Sequence, residues 1–186
     1  DLPHVAHRFA DPHRYFRNRL LIVGGRNSAV EAAIRCWRAG ADVTISYRQP
    51  TIPRNNVISR LHLEISLLFE RGQVGFLPQT VPIEIRPGMV RLERPVQDKP
   101  GKPEILEHST DFVLLCTGFR PDTSLYECAG VKLLGPENHP VHDPDTMETN
   151  VPGLYVAGTT TAGNQRKYTV FITTCHDHAA KILRHI

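Results

Sequence analysis

The spacing of apolar and polar positions predicts a strand, a helix and a second strand near the start of the chain. An apolar run from Arg19 to Gly24 ends in glycines, and helix-forming residues with an apolar stripe follow from Ser28 to Ala39. Gly40 is suited to end that helix, and Asp42 to Tyr47 is rich in β-branched residues that alternate with polar ones. This βαβ unit predicts the beginning of a parallel sheet.

The next segments extend the sheet and then interrupt it. Asn55 or Asn56 is suited to cap a helix that runs through about Glu70, and residues 73–77 predict a third short strand. Residues 81–111 contain short alternating strands separated by Pro and Gly turns, which indicates an antiparallel meander. The continuous apolar run from Phe112 to Cys116 then suits a strand that is buried on both faces of the parallel sheet.

The last third of the chain has weaker signals. Leu154 to Ala157 predicts a short strand, and a final helix is predicted from about Thr169 to His185. No internal repeat or low-complexity tract is present.

Composition narrows the class of protein. With 186 residues, 40% of them hydrophobic, the chain can bury a core, and it has no apolar run near the roughly 20 residues of a membrane span. The net charge of +3 is too small for a nucleic-acid groove, although residues 1–54 contain nine arginines against four acids. We expect a soluble, cytoplasmic protein with no nucleic-acid or membrane partner and a basic region around the first βαβ unit.

The cysteines show neither a CxxC pair nor the spacing of a disulfide framework. They are Cys36, Cys116, Cys128 and Cys175. Reduced, mostly buried thiols are therefore expected.

A glycine turn between the first predicted strand and helix is the strongest chemical signal. A helix N-terminus at this place, with its free backbone N–H groups, can receive a pyrophosphate. Gly24 and Ala29 match the first and last positions of the G-x-G-x-x-G/A pattern, but Arg26 stands where the second glycine belongs. A strand-to-helix turn that holds no ligand stays open as the alternative.

The end of the second strand indicates which nucleotide is preferred. Folds that prefer NAD place Asp or Glu there to bind the ribose 2′-OH, whereas folds that prefer NADP place Arg nearby for the 2′-phosphate. This chain has Arg48 and then Arg54, with no acid at the strand end. NADPH is favoured, with solvated surface arginines as the alternative.

Two later segments recur in this order in one superfamily. Thr110 to Asp122 resembles the strand and [AC]TG-x-x-P crossing of the two-dinucleotide disulfide oxidoreductases, and Thr149 to Gly158 resembles their later flavin-contacting strand. From about Arg19 to Ala180 the chain resembles the YpdA-type bacillithiol-disulfide reductases, relatives of the thioredoxin reductases. The segments that carry this closer resemblance are Val23 to Ala33, Cys36 to Gly40, Val43 to Arg48 and Tyr168 to Ile172.

The resemblance implies an α/β fold in two parts. The first is a Rossmann-like parallel sheet with an antiparallel β-meander crossover, and the second is the C-terminal remnant of another, FAD-binding Rossmann-like domain. The implied divisions are a hinge over residues 1–18, an NAD(P)H-binding domain over 19–118 and a segment of the FAD-binding domain over 119–186. The implied enzyme binds FAD, is reduced by NADPH and passes electrons to a low-molecular-weight disulfide or another small redox substrate.

By matching position, the resemblance also assigns cofactor-binding residues. Those at the pyrophosphate are Gly24, Gly25, Asn27 and Ser28, with Arg26 in the same turn. Arg48 and Arg54 would hold the 2′-phosphate, and Gly118 would lie near the nicotinamide-side loop. The residues that would meet the flavin are Gly158, Thr159, Lys167, Tyr168, Thr169, Val170 and Phe171.

Two departures limit what the resemblance implies. Thr159 stands where the superfamily has an Asp that binds the ribityl chain of the flavin. No FAD-binding βαβ unit with its own glycine fingerprint precedes Arg19, so a fragment or a truncated gene product is expected. Such a chain is expected to be colourless, inactive towards NADPH and able to form a homodimer through exposed apolar surface.

Three functions stay open at this point. The chain is a portion of the oxidoreductase described above, a non-catalytic NADPH-binding or redox-sensing module without flavin, or part of a ferredoxin–NADP reductase-like or thioredoxin reductase-like enzyme. The lack of CxxC disfavours an ordinary thioredoxin reductase. No paired carboxylates indicate acid–base chemistry, so no catalytic residue is nominated. No metal is expected either, because Cys175 and His178 share a helix face from which His176 points away.

Overall fold

The structure, a computed structural model, describes residues 2–96, 102–118, 122–164, 170 and 172–186. The chain divides into two compact units, residues 1–118 and residues 119–186. The boundary between them falls directly after Gly118.

The described residues of the first unit form two sheets and two α-helices. Its elements are, in chain order, β1 (Val5–Ala6), β2 (Arg19–Val23), α1 (Asn27–Arg38), β3 (Asp42–Tyr47), α2 (Ser59–Glu70), β4 (Gly75–Pro78), β5 (Val81–Arg86), β6 (Met89–Arg94), β7 (Glu104–Ser109) and β8 (Phe112–Leu115). Strands β1-β8-β2-β3-β4 form one sheet in that spatial order, and each neighbouring pair is parallel. Strands β5-β6-β7 form a separate antiparallel sheet. The parallel sheet and the meander crossover that the sequence predicts are confirmed.

The central strand β2 is buried on both faces, and its alternate residues face different layers. Leu20 and Ile22 belong to a hydrophobic core that includes α1 and α2. Leu21 and Val23 belong to a second core that includes buried residues of β6. Because side chains alternate across a strand, the helices cover one face of the parallel sheet and the meander covers the other. This accounts for the uninterrupted apolar run of β2.

Helix α2 begins later than the sequence predicts. Arg54–Asn56 form a single 3₁₀ turn, and the α-helix starts at Ser59, after Val57 and Ile58 in extended conformations. Val57 is only 5% exposed and lies in the core beneath the helices. The extended backbone places the Val57 side chain in this core, and the α-helix can begin only after it. The prediction of a helix capped at Asn55 or Asn56 is therefore wrong.

Strand β1 lies within the segment predicted to be a hinge. Val5–Ala6 pairs in parallel with β8 and forms one edge of the sheet. Two residues are too few to produce a period-2 signal, and the partner strand lies more than 100 positions away in the chain.

The second unit has little regular structure. Its elements are α3 (Ser124–Cys128), β9 (Leu133–Leu134), β10 (His139–Pro140), 3₁₀ turns at Gly158–Ala162 and Ile172–Thr174, and α4 (His178–His185). Strands β9 and β10 form an antiparallel pair. Within the described ranges no helix combines the length and the apolar character that crossing a bilayer requires.

Two predictions for this unit are wrong. The predicted strand from Leu154 to Ala157 makes one isolated bridge, between Tyr155 and Glu148. The final α-helix starts at His178, although its predicted start at Thr169 lies outside the described residues. Thr173, Thr174 and Asp177 have low helix propensity, and the α-helix begins with the Ala- and Leu-containing segment that follows.

None of the four cysteines, all of which lie among the described residues, forms a disulfide bond. Cys36 is buried, Cys116 and Cys175 are half-buried, and Cys128 is exposed at the end of α3. The prediction that most of the thiols are buried is wrong.

Candidate nucleotide-binding site

The carboxyl ends of three neighbouring parallel strands bring the predicted nucleotide residues to one edge of the sheet. Val23, at the end of β2, is paired with Ser46 of β3 and with Leu115 of β8. The glycine turn, Arg48 and Gly118 follow these three strands and therefore lie at this same edge. In open α/β sheets ligands bind outside the carboxyl ends of the strands, so this edge is the candidate site.

Glycine is required at two positions of the turn by close packing within the protein. Gly24 has a φ of +144°, and a Cβ atom there would lie 2.5 Å from the backbone oxygen of Cys116. A Cβ atom on Gly25 would lie 2.6 Å from the ring of Tyr47, which is buried. The turn is held by hydrogen bonds that Gly24 N donates to Ser46 O (3.0 Å) and Cys116 N donates to Val23 O (2.8 Å). These glycines bring the start of α1 close to the sheet edge.

The N-terminus of α1 is open towards an anion. Arg26 is the N-cap residue, its side chain does not cap the helix, and the first turn contains no acid. Ser28, in that first turn, is exposed. The backbone N–H groups of the first helical turn and the positive end of the helix dipole together favour a bound phosphate group. Arg26 in place of the second glycine is tolerated, because its φ of −110° is one that any residue adopts.

The thiol nearest this turn adds no negative charge. Burial raises the pKa of Cys116 to about 11, so its thiol is neutral at physiological pH. A thiolate at this place would oppose a pyrophosphate.

Two arginines flank the turn without a carboxylate partner among the described residues. Arg48 directly follows β3 and Arg54 lies in the 3₁₀ turn before α2, and both are exposed. No acidic residue lies in the first turn of α2. Each guanidinium is free of ion pairs with the carboxylates of the described residues, so both can receive an anionic group.

The loop that carries these arginines is anchored at several points. Gln79 N donates to Gln49 O (3.2 Å), and His62 Nε2 donates to Ile52 O (2.9 Å). At the end of the loop Ile58 N donates to Oδ1 of Asn27 (2.8 Å), the first residue of α1. Asn27 is assigned to the pyrophosphate by resemblance, but its side-chain oxygen faces α2. The beginnings of α1 and α2 therefore meet at the candidate site.

Sequence reasoning missed three contributors to the site. These are Tyr47 beneath Gly25, the Asn27–Ile58 hydrogen bond, and the buried Ser46–Thr80 pair, whose hydroxyl oxygens are 2.8 Å apart. Each joins residues more than 20 positions apart, and a single sequence carries no signal for such contacts.

The residues that the resemblance assigns to flavin lie in the second unit. Gly158 and Thr159 begin the 3₁₀ turn, where Gly158 has a φ of +81° and Thr159 is exposed. Gly158 N donates to Nδ1 of His178 (3.1 Å), so that imidazole nitrogen is engaged with the backbone. Val170 is half-buried. Lys167, Tyr168, Thr169 and Phe171 lie outside the described residues.

Comparisons with known proteins agree with the fold. The sequence profile of the pyridine nucleotide-disulphide oxidoreductases matches residues 1–158, which is most of the chain. The chain belongs to this family. NADP and FAD fit the chemistry of the family, as do the oxidoreductase, flavoprotein and thioredoxin reductase-like assignments made from the sequence.

Individual relatives support the same family. Bacilliredoxin reductase Bdr of Bacillus subtilis is 32% identical over 100% of this chain and 55% of its own length. A ferredoxin–NADP reductase of Ignicoccus hospitalis is 28% identical over 89% of this chain and 51% of its own. The solved structure of bacillithiol disulfide reductase Bdr (YpdA) from Bacillus cereus matches with a TM-score of 0.87 at 29% identity, covering 100% of this chain and 54% of that protein. The chain thus spans about half the length of these relatives.

Proposed function

We propose that residues 19–118 bind NADPH and that the chain is the nucleotide-binding portion of a flavin-dependent oxidoreductase. The enzyme would pass a hydride from NADPH to FAD and electrons onward to a low-molecular-weight disulfide. The observation that carries the proposal is the sheet edge where an uncapped helix N-terminus lies beside two arginines, with no acid at the end of β3. That combination favours a nucleotide with a 2′-phosphate.

The residues at this edge fit the two phosphate groups of the nucleotide. Backbone N–H groups in the turn from Gly24 to Ser28 would hold the pyrophosphate, and Arg48 and Arg54 would hold the 2′-phosphate by charge-assisted hydrogen bonds. Gly118 follows β8 on the other side of β2 and would leave room for the nicotinamide half. Bound NADPH supplies the hydride, and these residues supply its orientation.

The flavin assignment depends on the second unit. Gly158 and Thr159, with residues 167–171, would contact FAD. Thr159 replaces the acidic residue of the wider superfamily, so a hydroxyl would take the place of a carboxylate at the ribityl chain. Residues 119–186 would then be the C-terminal segment of the flavin domain.

The names of the relatives indicate two electron acceptors. Two of them are named as reductases of bacilliredoxin or bacillithiol disulfide, which supports a small disulfide substrate. The ferredoxin–NADP reductase of Ignicoccus hospitalis makes ferredoxin the second candidate. Reduction of bacillithiol disulfide and of ferredoxin by the flavin-loaded enzyme, measured side by side, distinguishes them.

The nucleotide assignment is tested by calorimetry with NADPH and NADH. We expect NADPH to bind at least about tenfold more tightly, and Arg48→Ala or Arg54→Ala to weaken NADPH binding by about 1–3 kcal/mol while NADH binding changes little. Arg71→Ala is the matched control, because Arg71 is an exposed arginine at the opposite end of α2. Equal binding of the two nucleotides by the unsubstituted protein would contradict the proposal.

A further inference from the structure

The proposed site contains an asparagine, Asn27, whose side-chain oxygen is hydrogen-bonded within the protein. We infer that Asn27 is a positioning residue for nucleotide selectivity: it ties the arginine-bearing loop, residues 48–58, to the start of α1. This inference rests on the proposed function, because it concerns the same NADPH site. In this inference, Asn27 affects nucleotide selectivity by positioning Arg48 and Arg54, and not by contacting a phosphate.

The geometry of Asn27 sets it apart from the rest of the glycine turn. It is the first residue of α1, and its Oδ1 accepts a hydrogen bond from the backbone N–H of Ile58 at 2.8 Å. Ile58 is the residue directly before α2. One side chain therefore connects the first residue of one helix to the N-cap of the next, across 31 positions of sequence.

Further hydrogen bonds attach the loop over residues 48–58 to elements other than α1. The carbonyl of Tyr47 accepts from Thr80 N (3.0 Å) where the loop begins, and His62 of α2 binds the carbonyl of Ile52. Ile52 and Val57 are buried on either side of Arg54. The Asn27–Ile58 hydrogen bond reaches from this loop to α1.

The link between the start of α1 and the arginine-bearing loop matters because a single bound NADPH would contact both. The pyrophosphate and the 2′-phosphate of NADPH are separated by a ribose of fixed size, so their two binding regions must be held at a matching separation. A loop already held in that position loses less conformational entropy on binding. The backbone N–H groups of α1 are independent of the Asn27 side chain, and they would bind the pyrophosphate of NADPH and NADH alike.

The first test compares the dissociation constants of NADPH and NADH for Asn27→Ala. We expect the preference for NADPH to fall by about fivefold to tenfold, with NADH affinity changed less than about twofold. Asn18→Ala is the matched control: the Asn18 side chain is likewise hydrogen-bonded to the backbone, through its amide nitrogen to Phe16 O (2.9 Å), but Asn18 precedes β2 at the opposite edge of the sheet. That variant should keep the full preference.

A double-mutant cycle tests whether Asn27 acts through the arginines. When Asn27→Ala is added to Arg48→Ala/Arg54→Ala, the ratio of the two affinities should not fall further. Amide hydrogen exchange supplies a readout without nucleotide, because Ile58 N–H should exchange faster in Asn27→Ala. If Asn27→Ala folds poorly, Asn27→Ser keeps a hydroxyl that is too short to reach Ile58 and should show the same loss of preference.

The outcomes separate this inference from the proposed function. Equal binding of NADPH and NADH by the unsubstituted protein overturns both. A clear NADPH preference that persists in Asn27→Ala, or an equal loss of both affinities, overturns the positioning role alone. An equal loss of both would show that Asn27 contacts the pyrophosphate directly.

Discussion

The volume of single side chains decides the shape of the turn between β2 and α1. The ring of Tyr47 occupies the space that a side chain on Gly25 would need, and Tyr47 is itself buried between the sheet and the helices. Gly24 meets a backbone carbonyl, which cannot move away as a flexible side chain can. The glycines that approach a nucleotide in the proposed function are thus also required by the packing of the protein.

Burial also decides the reactivity of the thiols. It raises the pKa of Cys36 to about 12 and that of Cys116 to about 11, so the reactive thiolate is scarce at both. We expect both to react with an aromatic disulfide reagent at pH 8 only after unfolding, and Cys128 to react in the native protein. Thiol counting with and without denaturant, with Cys128→Ser to identify the fast site, checks this. Rapid native modification of Cys36 would contradict it.

Neighbouring elements of the first unit are held together at their starts as well as along their lengths. Arg19 opens β2 and Asp111 directly precedes β8. Their side chains form a two-pronged ion pair, with N–O distances of 2.6 and 3.1 Å, and the carboxylate also accepts from Arg19 N (2.8 Å). These hydrogen bonds lower the pKa of Asp111 to about 2 from its ordinary value of 3.8.

This ion pair predicts an acid-dependent loss of stability. Because the pKa is lower in the folded state, the stabilisation is fully present above the unfolded value near 4 and is lost as pH falls to about 2. The Asp111 side chain is 34% exposed, so we expect Asp111→Asn to cost only about 1 kcal/mol at pH 7. Urea unfolding at pH 7 and pH 2.5 measures this loss of unfolding free energy. Glu107→Gln, at an exposed carboxylate, is the control. If the difference in unfolding free energy between Asp111→Asn and the unsubstituted protein does not decrease at low pH, the ion pair is not the source of that difference.

At the scale of the molecule, the two units differ in how they are stabilised. Both hydrophobic core clusters of the described residues lie in residues 1–118. The second unit buries a few large apolar side chains, namely Val131, Met147 and Val156. Since burial of apolar surface is the main stabilising contribution, most of the free energy of unfolding resides in the first unit.

We therefore predict that residues 1–118 fold without residues 119–186. Expressed alone, they should show one cooperative urea transition and retain NADPH affinity within about twofold of the full chain. Circular dichroism and calorimetry are the measurements, and residues 119–186 alone, which should unfold without a clear transition, are the comparison. Loss of the cooperative transition in residues 1–118 would show that the second unit supplies essential packing.

Local patterns were sufficient to predict part of this protein from its sequence. The pattern predicts the βαβ unit almost to the residue, with Asp42–Tyr47 at its observed bounds, because β-branched alternation and a helix-ending glycine act over a few neighbouring residues. The meander followed from its Pro and Gly turns. The family followed from three motifs in the right order. The roles assigned to single residues at the nucleotide and flavin remain predictions.

The remaining features were decided by contacts between residues distant in the chain. Edge strand β1 forms because it pairs with β8. Val57 has an extended backbone because its side chain packs in the hydrophobic core. Asn27 binds Ile58 because the starts of α1 and α2 lie close together. Leu154 to Ala157 has a strand-like pattern, but among the described residues it finds one bridge rather than a partner strand. Periodicity shows which face of a segment is apolar, and only the tertiary structure determines which partner, if any, covers that face.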